Sequence, residues 1–302
     1  MSNPSSFSRV REFVVVGGGI AGCTVAHELA RRGQDVVLLE EHRLAHAASG
    51  RNLGLLLNQV DPMPVRIIQT SIGIYRKLKN SFSMREVDQL LLACTEPQLT
   101  ATSARVAAMR ELGVDLEEVP GDELRRLFPA LAPDIAGGAV VKGAWALEPA
   151  AATLAFADAA RAAGADIRTG TRVTGPIQAG GVATDAGRIA ADAVILANGP
   201  WLAELAPALP VRAASGWCMR TGPLPMHVPW LIEEMSWPEQ RELGRAARPP
   251  TLAELAVGGY DEPAADAFIL APQPAGDALL GIFLVRFLIG VVEGVGMLVR
   301  LV

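Results

Sequence analysis

The stretch Phe13 to Glu40, FVVVGGGIAGCTVAHELARRGQDVVLLE, constrains the fold more than any other. Phe13 to Val16 and Val36 to Leu39 have the short, continuous apolar character of parallel strands buried on both faces. The residues between them read as an amphipathic helix, the crossover that two parallel strands require. Gly17, Gly19 and Gly22 fit the G-x-G-x-x-G spacing. Gly17 permits the tight turn off the strand, Gly19 lets backbone approach a pyrophosphate, and Gly22 lets the helix pack closely on the sheet. The helix N-terminus then offers unpaired N–H groups and the positive end of its dipole to phosphate. Glu40 follows Gly22 by eighteen residues, close to the ~20 expected of an acid that binds a ribose hydroxyl. Together these features predict a dinucleotide-binding βαβ unit.

With 302 residues, half of them hydrophobic and 20% charged, the chain has ample material for a packed α/β core of one large or two ordinary domains. Its net charge of −5 offers no basic footprint for nucleic acid. Cys23, Cys94 and Cys218 lie far apart without a C-x-x-C, which fits a reducing compartment and no zinc site. His42 and His46 are four apart but have no third ligand nearby, so they read as solvated loop histidines. MSNPSSFSRVREF lacks a signal-peptide apolar core, and Arg286, Glu293 and Arg300 interrupt the apolar run Gly281 to Val302. The expectation is a cytoplasmic protein without a membrane span.

Along the chain, residues 41–57 form a polar, small-residue loop leading to an apolar strand, with Ser49, Gly50, Arg51, Asn52 and Gly54 suited to wrapping a polar cofactor. Pro64 to Lys79, Pro97 to Leu112, Gly121 to Phe128 and Pro149 to Ala163 read as helices. Val87 to Thr95, Leu116 to Val119, Asp166 to Arg168, Thr171 to Ile177 and Val182 to Thr184 read as strands. ADAVILANGPW, Ala191 to Trp201, is a buried strand reaching a second glycine turn at Gly199, a further close approach to the same ligand. Val211 to Arg220, Phe268 to Leu270 and Ala278 to Val285 suit an antiparallel sheet roofing the cofactor. These patterns imply a dinucleotide without separating NAD from FAD.

The order of motifs resembles the D-amino-acid oxidase-like family of FAD-dependent oxidoreductases, the glycine/sarcosine oxidase and amino-acid dehydrogenase type. The matching segments are VVVGGGIAGCTVAHELARRGQDVVLLE, ASGRNLGLL, EPAAATLAFADAARAAGADI, TRVTG and ADAVILANGPW. The resemblance implies a Rossmann-like FAD-binding domain (10–80 and 149–205) with an inserted mixed α+β substrate domain (81–148 and 206–302). It implies non-covalent FAD, held at its pyrophosphate by Gly17, Gly19 and Gly22 with Ile20 and Ala21, and at the adenosine ribose by Glu40 and its neighbour Glu41. Ser49, Gly50, Arg51, Asn52 and Gly54 would line the pyrophosphate and flavin. The Val173 backbone would meet the adenine, unless it is a plain strand residue, and Ala197, Gly199 and Trp201 would close over the cofactor.

The implied reaction is hydride transfer from the α-carbon of an amino acid or N-alkyl amino acid to flavin, followed by hydrolysis of the imine. Relatives carry a late strand with a carboxylate-binding arginine and a third glycine-rich return to the cofactor, and neither is visible before Val302. The expectation is therefore a shortened C-terminal part, with Arg286 the nearest candidate for a substrate carboxylate and no catalytic residue assigned. Phe268 stands where glycine oxidases begin a strand with tyrosine. Three alternatives stay open: an active amino-acid or amine oxidoreductase, a flavin-binding subunit completed by a partner or a homo-oligomer, and an NAD-linked dehydrogenase.

Overall fold

The computed structural model describes residues 10–57, 62–78, 81–175, 180–209, 217–220, 226–235, 267–272, 278–283 and 300–301. The elements run β1 (Arg11–Val16), α1 (Ile20–Arg31), β2 (Val36–Glu40), β3 (Leu55–Leu56), α2 (Pro62–Lys77), β4 (Met84–Ala93), α3 (Glu96–Glu111), β5 (Leu116–Pro120), α4 (Gly121–Leu127) and β6 (Gly137–Leu147). They continue with α5 (Pro149–Ala162), β7 (Asp166–Thr169), β8 (Gly181–Thr184), β9 (Gly187–Leu196), α6 (Leu202–Leu205), β10 (Trp217–Arg220), β11 (Trp230–Glu234), β12 (Ala267–Pro272), β13 (Ala278–Phe283) and β14 (Arg300–Leu301). The architecture is the α/β, Rossmann-like one that the sequence implies. The chain divides into two compact units, 1–52 with 149–214 and 53–148 with 215–302.

The first unit is built on a sheet of order β7-β2-β1-β9-β8. Its first four strands are parallel, and β8 closes one edge as an antiparallel hairpin with β9. Val14, Val15, Val37, Leu38 and Leu39 are almost wholly buried, as central strands covered on both faces must be. Helices α1 and α5 pack on one another, and both bury small side chains, among them Cys23, Ala26 and Ala30 on α1 and Ala152, Ala157 and Ala160 on α5. At the amino ends of the strands, Arg11 on β1 donates to Asp35 at 2.9 Å and to Asp166 at 2.7 Å, so one guanidinium ties β1, β2 and β7.

The strand expected over 171–177 is absent over its described part. Gly170 adopts a φ of 66° and turns the chain away from the sheet, leaving Val173 in a single antiparallel bridge to Thr184. Residues 176–177 lie outside the described residues.

The second unit holds a sheet of order β14-β10-β13-β12-β11-β4-β6-β3, with β5 paired to β6. It is mixed rather than antiparallel, because β11 runs parallel to β4. The segment 53–80, grouped with the first domain from sequence, falls in this unit, where Leu55 and Leu56 pair with Ala146 and Trp145. Strands β6 and β11 were not expected. Gly137 and Gly138 weaken the strand signal of β6, yet a Cβ on Gly138 would lie 2.4 Å from the Leu91 carbonyl oxygen. In β11, Glu233 and Glu234 read as surface residues but are buried. Gln89 donates to Glu233 at 2.5 Å, and Gln98 donates to Glu234 at 2.7 Å. Gln98 also completes a capping box with Thr95 at the start of α3. Among the described residues, no helix is long and apolar enough to cross a membrane.

Replacing Arg11 with Met should destabilise the first unit by about 1–3 kcal/mol, because it removes the cation that Asp35 and Asp166 share, leaving Asp166 with Arg168 alone of its two arginines. Burial pushes the Asp166 carboxyl up, but Arg168 and Arg11 outweigh it and hold the group below its usual value. Its contribution is therefore present above about pH 3.9 and lost as pH falls through the depressed folded value. Urea unfolding of both proteins at neutral pH, repeated at decreasing pH, should show a lower midpoint for Arg11→Met and a gap that narrows in acid.

Candidate dinucleotide site

The site lies where β1 and β9 end side by side, with Val16 opposite Leu196. The sheet grows in both directions from β1, so this is a point at which crossovers diverge and leave a crevice beyond the carboxyl ends of the strands. Gly17 leaves β1 with a φ of 111°, a conformation open to glycine and strained for other residues. Its N–H donates to the Leu39 carbonyl at 2.8 Å, while Ala197 N–H donates to the Val16 carbonyl at 2.8 Å. The turn is thereby fixed to both neighbouring strands. A Cβ on Gly17 would lie 2.5 Å from the Ala197 carbonyl oxygen, and one on Gly22 would lie 1.9 Å from the Gly17 carbonyl oxygen. Gly22 is a packing glycine in the strictest sense.

Helix α1 starts at Ile20 with Gly19 as its N-cap, which has no side chain to cap with. Ser49 performs that role from the following loop, accepting the Ile20 N–H at 2.9 Å. The loop is tied down further by Ala45 N–H, which donates to the Gly18 carbonyl at 3.0 Å. Glu40 at the end of β2 accepts the Gly18 N–H on Oε2 at 2.6 Å and the His42 N–H on Oε1 at 2.8 Å. Its carboxylate is thus anchored beside the glycine turn with lone pairs to spare.

These parts enclose a cavity of about 300 Å³. Of the residues singled out from sequence, Gly17, Gly19, Glu40, Glu41, Ser49, Val173, Ala197, Gly199 and Trp201 line it. Ile20, Ala21 and Gly22 form the first turn of α1 behind the glycines. Gly50 closes the loop instead, since a Cβ there would lie 2.1 Å from the Ala45 carbonyl oxygen. Asn52 donates to the Ala48 carbonyl at 2.8 Å, and Arg51 is exposed. Gly54 belongs to the second unit, where its carbonyl accepts the Leu147 N–H. Arg286 lies outside the described residues.

The cavity also takes in residues that motif spacing did not single out as ligands. His42 and His46 line it with their rings in contact, centroids 4.3 Å apart and tilted at 45° to one another. Arg172 lines it and approaches Glu41 at 3.7 Å. The four-residue spacing of the histidines was visible in the sequence, but their placement depends on the left-handed turn at Ala45, φ 57°. Asn198 also lines the cavity and keeps a buried Oδ1 without a partner.

The residues present fit the phosphate and ribose portion of a dinucleotide. Close-packed glycines admit backbone contact with a pyrophosphate, the α1 N-terminus supplies donors, and the Glu40 carboxylate supplies an acceptor for hydroxyls. Nucleophilic chemistry at Cys23 is disfavoured. Burial, with a smaller contribution from the Glu40 charge, pushes its thiol up to about 12, and it sits 3.6 Å from the Gly18 carbonyl. No cluster of three or more metal-binding side chains exists among the described residues.

A protein-family model described as FAD dependent oxidoreductase matches residues 12–287. The chain is 30% identical over 175 residues to glycerol 3-phosphate oxidase of Mycoplasma pneumoniae, a match covering 54% of this chain and 46% of that one. It is 30% identical over 207 residues to 4-methylaminobutanoate oxidase (formaldehyde-forming) of Paenarthrobacter nicotinovorans, covering 64% of this chain and 25% of that one. The chain thus matches less than half the length of these curated relatives. Its fold is similar to glycine oxidase from Geobacillus kaustophilus, with a TM-score of 0.71, 21% identity, and coverage of 90% of this chain and 71% of that one.

Two substitutions separate packing from capping at this turn. Gly22→Ala should cost about 1–3 kcal/mol or more, because the helix must move off the strand to admit the methyl group. Ser49→Ala removes one hydrogen bond to the helix end and should cost about 1 kcal/mol. Chemical denaturation should rank Gly22→Ala as the more damaging of the two.

Proposed function

This chain belongs to the family of FAD-dependent oxidoreductases, and from that premise we propose that it binds FAD and oxidises the C–N bond of an amino acid or N-alkyl amino acid. The observation that carries the cofactor assignment is the convergence of the Gly17–Gly22 turn, Glu40 and the Ala197–Gly199 turn on one cavity at the carboxyl ends of β1 and β9. In this reading the α1 N-terminus and the Gly17–Gly19 backbone hold the pyrophosphate, and Glu40 takes the adenosine ribose. Val173 meets the adenine, and Gly199 with Trp201 closes the far side.

When bound, FAD supplies a two-electron acceptor for the hydride leaving the carbon that bears nitrogen. The chain's own part is to bind and orient. The glycines exclude side chains from the diphosphate, Ser49 holds the helix end that faces it, and Glu40 fixes the turn to the loop. The first unit is then the FAD-binding domain, and the second the substrate domain. A C–N substrate is supported by the similarity to 4-methylaminobutanoate oxidase, which extends over more of this chain than the similarity to glycerol 3-phosphate oxidase. That second relative supports a competing substrate class, a phosphorylated alcohol oxidised at C–O.

The purified protein should be yellow, or become so after incubation with FAD. Anaerobic addition of glycine, sarcosine, proline and D-amino acids in turn, with glycerol 3-phosphate in parallel, should bleach the flavin with at least one amino acid. Bleaching by glycerol 3-phosphate alone would transfer the assignment to C–O oxidation. A protein that stays colourless with FAD would overturn both.

A further inference from the structure

His42 and His46 are unusual wall residues for a cavity prepared to receive a diphosphate. Their mutually tilted rings, 4.3 Å apart, share that cavity with Gly17, Gly18 and Gly19. The neighbouring His42 ring discourages His46 from carrying charge, and a nearby anion encourages it. We propose that this wall makes FAD binding proton-coupled: seating the diphosphate on the glycine turn draws a proton onto His46, which lies against His42 in the same cavity. The inference rests on the FAD assignment above and adds to it a titrating partner within this chain.

The surrounding charges support a neutral His46 before the ligand arrives. Burial lowers the affinity of His46 for a proton, and His42, Arg51 and Arg43 lower it further against the opposing Glu40. Glu40 is already engaged by the N–H groups of Gly18 and His42. From the neighbouring segments, Glu41 is paired with Arg172, and Glu204 lines the cavity. The first turn of α1 contributes no acidic side chain. A diphosphate brings two negative charges into the cavity that His46 lines, and a nearby opposite charge raises a histidine pKa. The sign follows: the bound form holds its proton to higher pH than the free form. The gain in affinity is complete below the free-state pKa and is lost as pH rises through the bound-state pKa.

Isothermal titration of flavin-stripped protein with FAD at pH 7, in two buffers of different ionisation enthalpy, counts the protons directly. The diphosphate diester of FAD does not titrate between pH 6 and 8, so any proton belongs to the protein. Net uptake of a fraction of a proton up to one is expected, with affinity, read by quenching of flavin fluorescence, weakening by about tenfold from pH 6 to 8. His46→Gln, and the double variant with His42→Gln, should bind FAD with little uptake and a flat pH profile. Melting of the flavin-free variants confirms that they fold. FAD binding without proton uptake, or uptake that persists in the double variant, would overturn the proton coupling and leave the FAD assignment standing. No FAD binding at any pH would remove both.

Discussion

The first unit depends on one close approach: the carbonyl oxygen of Gly17 occupies the position that a side chain at residue 22 would need. Because residue 22 has no Cβ, α1 can start directly against the end of β1. Its first N–H groups then emerge at the same level as the carboxyl ends of β1 and β9. Everything offered to a ligand follows from that alignment. The turn leaves Gly18 N–H available to Glu40, the Gly18 carbonyl available to Ala45, and the Ile20 N–H available to Ser49. One steric permission thereby organises β2, the loop after it and the helix. The opposite end of the sheet is secured by charge, through Arg11 and its two aspartates, so the packing-limited end is the one left free for binding.

The polar wall of the cavity explains why its loop is long and poor in regular structure. A loop that must supply a hydroxyl to a helix end, an amide to its own turn and two imidazoles to a cavity cannot also form a ladder. Its backbone groups are instead satisfied locally, by Asn52 on the Ala48 carbonyl and by Ala45 on Gly18. The left-handed conformation of Ala45 is the conformational cost of bringing the loop back over the glycines. Gly50 keeps the same segment compact at the point where it passes Ala45.

Much of this was legible in the sequence because local and global preferences agree there. From β1 to β2, apolar runs, a crossover helix and three spaced glycines all state the same structure, and the elements formed within a few residues of their expected ends. The alanine-rich α5 and the strand β9 were equally plain, although β9, expected to be buried, is mostly half-buried, with Ala191 its one buried residue. What escaped were β6 and β11, whose residues gain their meaning only from partners distant in the chain. Lys142 and Gly143 interrupt β6 opposite a register shift between Val87 and Gln89, a bulge that no local pattern announces. Glu233 reads as a surface acid until Gln89, 144 residues earlier, donates to it in the core.

The same distinction separates the glycine turn from the histidine pair. Glycines at Gly17 and Gly22 are demanded by sterics, and sterics at short range follow from spacing alone. Histidines carry no such demand: a spacing of four fits a helix face, a metal pair or two solvated loop residues. Only the fold of the loop brings the two rings together and turns both toward the cavity. Once there, the charge of His46 is set by a contest between desolvation and neighbouring positive charge on one side and an incoming anion on the other. A ligand carrying charge is the component that can reverse that contest, because Glu40 is already engaged by backbone N–H groups and Glu41 by Arg172. On the proposal above, the protonation of His46 is therefore set by the complex rather than by the free protein.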